Sequence, residues 1–247
     1  DKPQTTRNRI RGVLTTAETQ LIFVDTPGIH KAVSALGERV NATAIESTKD
    51  VDVVCLVIDA TQTFGTGDKY VSNHIDMSKA VVILNKIDRA EPAKILKQLQ
   101  ALSSLGAAEY FPISAKTGDG VAELTAYLAT RMPEGELLYP AEMITETPDS
   151  VWIAELVREQ LLENTHEELP YSIATRVTEY EPPRIRCEIV VERESQKGMV
   201  IGKNGAMLKI IGTNVRRQLP SGTFLELAVV VDKNWQQRPE RVERLGY

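Results

Sequence analysis

Cysteine is almost missing from this sequence. Cys55 and Cys187 stand far apart, each inside an apolar run, which favours buried thiols over a disulfide or a metal site. The three histidines, His30, His74 and His166, have no ligand spacing, so a zinc centre is not expected. No apolar run approaches the roughly 20 residues that span a bilayer. No basic-then-apolar signal segment opens the chain, and a cytoplasmic location is the expectation. Internal repeats and low-complexity tracts are absent too.

The longest run without an acidic residue lies late in the chain. Between Gln196 and Leu225 there is no Asp or Glu, while Lys197, Lys203, Lys209, Arg216 and Arg217 fall there. The whole chain carries a net charge of -5, which by itself argues mildly against a nucleic-acid partner; a global sum hides such a local basic stretch.

What is present describes a soluble globular protein of 247 residues, 42% hydrophobic and 26% charged, long enough for two ordinary domains. In the first half, the apolar runs "QLIFV" (20–24), "VDVVCLVID" (51–59), "AVVILN" (80–85) and "YFPIS" (110–114) alternate with helical periodicity over 93–106 and 121–132. Short continuous apolar runs separated by helices read as buried parallel strands of a doubly wound α/β sheet. Residues 132–150 cluster Pro, Glu and Thr without periodicity and read as a linker. Beyond it, a helix with core face Ile153, Leu156, Val157 and Leu161 precedes strand candidates at 172–180, 184–193 and 224–231. Between the last two strands lie two short helices around "VIGKNG" (200–205). The order α-β-β-α-α-β makes a small α+β domain with helices on one side of a sheet.

Three predicted strand ends carry polar clusters: "VDTPG" (24–28), "LNKID" (84–88) and "ISAK" (113–116). In an open parallel sheet, ligands bind outside the carboxyl ends of the strands, so the clusters are expected to meet at one crevice. Each is weak alone, and D-x-x-G occurs by chance. Together, in this order and strand context, they resemble the motifs of the P-loop GTPases. That resemblance implies GTP or GDP and Mg²⁺ as ligands. It assigns Asp25 to Mg²⁺, Gly28 to the γ-phosphate, Asp88 to guanine N1–H and N2–H₂, and Lys86 to packing along the ring. Asn85 would tie the loops together, and in Ser114, Ala115 and Lys116 the alanine N–H would read guanine O6. A carboxylate facing two donors excludes adenine, which lacks them. In the opening "DKPQTTRNRI", Thr6 or Thr5 matches the switch threonine that closes on Mg²⁺.

Two departures stand out. Ile29 follows D-T-P-G where many GTPases carry a water-orienting glutamine, so slow intrinsic hydrolysis is expected. No G-x-x-x-x-G-K-[ST] occurs in the 247 residues; in the family that loop precedes the switch threonine, which would put it ahead of Asp1.

"GKNG" is not that loop, because a Walker loop follows a buried strand and ends G-K-S or G-K-T. Set between two short helices, Gly202, Lys203, Asn204 and Gly205 resemble the G-x-x-G turn of the KH domain, which clamps single-stranded RNA. Val200, Ile201 and Ile211 are the candidate groove walls. Leu208, Ile211, Val215 and Leu219 form an apolar stripe, and Lys209 and Arg216 share another face, either a solvated surface or, with the G-x-x-G and the absence of acids favouring it, the electrostatic footprint of RNA. Trp235 is a candidate base-stacking residue or a packing one.

A GTPase domain over 1–132, a linker over 133–150 and a KH-type domain with its tail over 151–247 resemble the Era family of bacterial ribosome-assembly GTPases. The resemblance implies as partners the 3′ end of 16S rRNA and the 30S subunit rather than DNA, with peripheral association at the inner membrane. The alternative is an RNA-binding module whose G domain is nucleotide-incompetent, separated by GDP titration. A tandem-domain ribosome-assembly GTPase lacks the G-x-x-G, and a metabolic α/β enzyme would need a nucleophile–base pair that is not seen here.

Overall fold

The computed structural model describes residues 10–29, 32–165 and 169–247. In chain order these form β1 (Ile10–Thr15), β2 (Gln20–Asp25), α1 (Ala35–Ser47), β3 (Cys55–Asp59), α2 (Thr66–Ser72), β4 (Val81–Asn85), α3 (Pro92–Leu102), β5 (Glu109–Pro112) and α4 (Val121–Thr130). There follow α5 (Asp149–Asn164), α6 (Leu169–Ser172), β6 (Ala174–Glu181), β7 (Arg184–Val191), α7 (Glu194–Ile201), α8 (Ala206–Arg216), β8 (Phe224–Val231) and α9 (Pro239–Arg244). Contacts divide the chain into two compact units. One gathers Arg11–His30 and Asn41–Thr145; the other includes Lys31–Val40 and Glu146–Tyr247.

In the first unit β3, β4 and β5 are parallel neighbours in that order. The run Val81-Val82-Ile83-Leu84 is buried without a break because both sheet faces are covered. Val81 and Ile83 join Leu21, Ile113, Leu124 and Leu128 on one face, and Val82 and Leu84 join Leu56, Ile58 and Leu102 on the other. Each such fully buried side chain contributes about 1.5–3 kcal/mol. β2 pairs with β1 in a separate two-stranded sheet; Leu21, not a hydrogen-bonded ladder, brings it into the layer.

The segment read as linker is bonded to that two-stranded sheet. Gln20 Oε1 accepts from the N–H groups of Leu138 and Tyr139 at 3.0 Å each, and Val13 N–H donates to the Ile144 carbonyl at 2.9 Å. A lack of periodicity marked an irregular segment there; these bonds attach its residues up to Thr145 to the first unit, while Glu146 onward belongs to the second and α5 begins at Asp149.

In the second unit β7 lies between antiparallel β6 and parallel β8. Ile185, Cys187, Ile189 and Val191 of β7 face a core shared with α5, α7 and α8. Burial pushes the Cys187 thiol up to about 12, the response of a packed, inert thiol. The opposite face is also covered, which the one-sided expectation did not foresee: Val190 meets Trp235, Val242, Leu245, Tyr247, and Leu36 and Val40 of α1. Trp235 is fully buried, and its indole N–H donates to the Ser172 carbonyl at 3.1 Å. Of its two readings, packing is the one found.

Candidate functional site

The parallel register of β3 and β4 sets Asp59 opposite Asn85, and Leu84 pairs with Pro112 of β5. The three strands therefore end together. Past their ends the chain stays tied: Ile113 N–H donates to the Leu84 carbonyl at 2.9 Å, and Ile87 N–H to the Ile113 carbonyl at 3.2 Å. These two bonds hold the N-K-x-D and S-A-K loops side by side.

The side chains extend that arrangement. Asn85 Oδ1 accepts from its neighbour's N–H, Lys86, at 2.7 Å and from Ala115 N–H across the cleft at 3.0 Å. Ser114 is fully buried; its hydroxyl donates to Asp88 Oδ1 at 2.7 Å and accepts from Thr117 N–H at 3.1 Å. The Asp88 carboxylate is exposed but held in place from behind. A fixed, solvent-facing carboxylate is an acceptor for two adjacent N–H donors, the pattern of a guanine edge.

Two assignments from the sequence meet different partners. The Ala115 N–H, expected to read guanine O6, is already given to Asn85. The following N–H, of Lys116, makes no hydrogen bond within the described residues. The Lys86 ammonium reaches the Asp59 carboxylate at 2.8 Å. Asp59 was not singled out by any motif; the only signal was its place as the last residue of a buried strand.

Asp25 and Gly28 sit at and just past the C-terminal end of β2, both exposed. Thr6 and Thr5 lie outside the described residues. Among the described residues no three carboxylates, histidines or cysteines converge on a metal. Mg²⁺ does not require such a cage, since it is commonly held by one or two protein oxygens together with phosphates. An exposed carboxylate such as Asp25 is the right hard donor.

Gly120 closes the S-A-K loop with φ +70, and a Cβ there would stand 2.5 Å from the Pro112 carbonyl oxygen. Left-handed backbone costs a non-glycine residue roughly 1–2 kcal/mol, and overlap with main chain adds about 1–3 kcal/mol. Gly120→Ala is therefore expected to lower the unfolding free energy in urea by about 2–5 kcal/mol. A change below about 0.5 kcal/mol would mean that the loop relaxes freely.

In the second unit Gly202 ends α7 at φ 73 and ψ 171, and Asn204 and Gly205 are left-handed at φ 54 and 77. Gly205 N–H donates back to the Gly202 carbonyl at 3.1 Å, closing the turn. Lys203 and Asn204 stand exposed at its tip. Lys209 and Arg216 are exposed on α8, while Ile211, Val215 and Leu219 are buried and Leu208 half-buried.

Two groove walls are corrected. Val200 and Ile211 are wholly buried in the core with Val157 and Ile189, because they occupy the inward faces of α7 and α8. Ile201 is half-buried. The apolar groups exposed near the turn are instead Met199 and Ile210. They were missed because they fall outside the buried stripe. A cavity of about 280 Å³ on the Val190 face is lined by Arg176, Arg241 and Arg244; the first two pair with Glu188 and Asp232.

Comparison with known proteins agrees with both halves. The family model described as "50S ribosome-binding GTPase" matches residues 1–86, and the one described as "KH domain" matches residues 168–236. The GTPase Era of Mycobacterium tuberculosis is 41% identical over 264 residues, covering all of this chain and 88% of the relative. That of Mycobacterium sp. strain KMS is 40% identical with the same coverage. Among solved structures, Era in complex with MgGDPNP and nucleotides 1506–1542 of 16S ribosomal RNA aligns with a TM-score of 0.93 at 37% identity, over all of this chain and 88% of that one. An alanine variant of Aquifex aeolicus Era bound to GDP·AlF4⁻ aligns at 0.92 and 36%, with the same coverage.

Proposed function

Because the chain belongs to the GTPase Era family, it is a GTP-hydrolysing, RNA-binding enzyme that uses GTP, GDP and Mg²⁺, and we propose how its residues divide that work. The carrying observation is the Asp88 carboxylate, fixed by Ser114 at the junction of two tied loops. Asp88 accepts from guanine N1–H and N2–H₂. The Lys116 N–H, rather than that of Ala115, donates to O6. Lys86 offers its stem to the ring face, and Asn85 keeps the two loops in register.

Asp25, with Thr6 or Thr5, holds Mg²⁺, which neutralises charge on the phosphates. Gly28 presents its N–H toward the terminal phosphate. Ile29 has no group to orient water, so hydrolysis in the isolated protein is slow.

The partner we propose is the 3′ end of 16S rRNA within an assembling 30S subunit, which sets the work in the cytoplasm. A solved relative is in complex with nucleotides 1506–1542 of 16S ribosomal RNA. Gly202, Lys203, Asn204 and Gly205 clamp the single-stranded backbone. Ile201, Met199 and Ile210 offer apolar surface to the bases, and Lys209 and Arg216 supply charge. The nucleotide state biases RNA affinity, GTP favouring binding and GDP release.

Titration of the protein with GDP and ADP tests the first half: GDP binds and ADP does not, and equal affinities would overturn the Asp88 assignment. For the second half, log affinity for single-stranded RNA is expected to fall with log salt. Substituting Lys209 and Arg216 together by alanine should flatten that slope by about 1.4, at about 0.7 per phosphate neutralised. An unchanged slope would remove the basic face from the RNA site.

A further inference from the structure

The turn that ends β3 carries a carboxylate that belongs to none of the nucleotide motifs. Asp59 divides its two oxygens between two tasks. Oδ1 accepts from the N–H and the hydroxyl of Thr61 at 2.8 and 2.6 Å, and Oδ2 accepts from the Lys86 ammonium at 2.8 Å. The turn is itself anchored from α3: Lys94 Nζ donates to the Thr61 carbonyl and Gln98 Nε2 to the Ala60 carbonyl, both at 2.6 Å. Ala60 N–H completes the bracket by donating to the Asn85 carbonyl at 2.8 Å.

Lys86 is thus held at both ends. Its backbone N–H is fixed by Asn85 Oδ1, its head group by Asp59, and its methylene stem spans from the end of β4 to the end of β3. Resting on the guanine-site reading above, we propose that Asp59 is a positioning residue for that site. By holding the ammonium it presets the Lys86 stem as the apolar surface on which the base packs. A free lysine side chain samples many rotamers, and ordering it on binding weakens affinity. The ion pair is about a third exposed on each side (35% and 30%), so its own contribution to folding is small; its effect lies in ordering Lys86 before the ligand arrives. Burial would raise the Asp59 pKa, but hydrogen bonds from Lys86 and Thr61 and the lysine charge outweigh it and bring it to about 2. The carboxylate is therefore ionised at any working pH.

Asp59→Asn separates the two tasks, since an amide oxygen still accepts both Thr61 bonds while the charge facing Lys86 is gone. GDP affinity, read by titration, is expected to fall roughly three- to tenfold. The KM for GTP should rise by the same factor with kcat unchanged, as for a contact made equally in ground and transition states. In a Lys86→Met background, which keeps an unbranched apolar stem without the ammonium, the same substitution is expected to leave GDP affinity unaltered. No loss in Asp59→Asn alone overturns the proposal. An equal loss in both backgrounds also overturns it, because the carboxylate would then act through the turn. If folded, unsubstituted protein does not bind GDP, the guanine-site reading falls, and this inference with it.

Discussion

Replacing Asp88 by asparagine is expected to weaken GDP binding about a hundredfold and to create affinity for xanthosine diphosphate. One hydrogen bond to the charged acceptor is lost with its donor left unpaired, and the other is weakened to a neutral bond; together about 3 kcal/mol sets that loss. Asparagine presents one acceptor and one donor where guanine offers two donors, whereas xanthine has a carbonyl in place of the exocyclic amine. The loop itself should survive, because an amide oxygen at this position still accepts the Ser114 hydroxyl that holds Asp88 now at 2.7 Å. Unchanged melting with inverted base preference is thus the expected pair of results. Unaltered GDP affinity would show that another group reads the base edge.

Gly202→Ala is expected to cut RNA affinity at least tenfold and to destabilise the RNA-binding unit, while Gly205→Asn leaves the stability of that unit nearly intact. The two glycines look alike in sequence and differ in space. At Gly202, φ +73 with ψ 171 is a conformation open essentially to glycine alone. A Cβ there would also lie 2.9 Å from the Met207 backbone nitrogen, pushing on the first turn of α8. Gly205 has φ 77 and ψ 12, a left-handed geometry asparagine tolerates, and open space at the Cβ position. Filter binding with single-stranded RNA and thermal melting of each variant provide the check. Equal losses of stability at both positions would mean that the turn does not distinguish its two ends.

The nucleotide half was legible because its signals are local. The buried run 81–84 announced a strand covered on both faces, and the polar residues after it mark the strand's carboxyl end. Parallel pairing then requires N-K-x-D and S-A-K to be neighbours. The strand Ile10–Thr15 and the helices α1 and α9 went unread. Their patterns are short or interrupted, and their burial depends on partners remote in sequence, as Leu36 on Trp235. The groove walls failed for a related reason: periodicity tells which helix positions are apolar, and both core and groove want apolar residues. Only the packing of α7 and α8 separates buried Val200 and Ile211 from exposed Met199 and Ile210.

The sequence by itself determined the chemistry available here: a carboxylate past a strand end, a glycine turn between two helices and an acid-free basic stretch around it. Residue type and spacing suffice for that, since each motif is a few residues long and its chemistry is carried by the groups themselves. Tertiary structure alone decided which of these groups are already engaged. Asp59 meets Lys86, and Asn85 takes the Ala115 N–H, because parallel register brings three strand ends within hydrogen-bond reach. A donor's availability depends on what stands within about 3 Å of it, and that neighbour comes from a different strand.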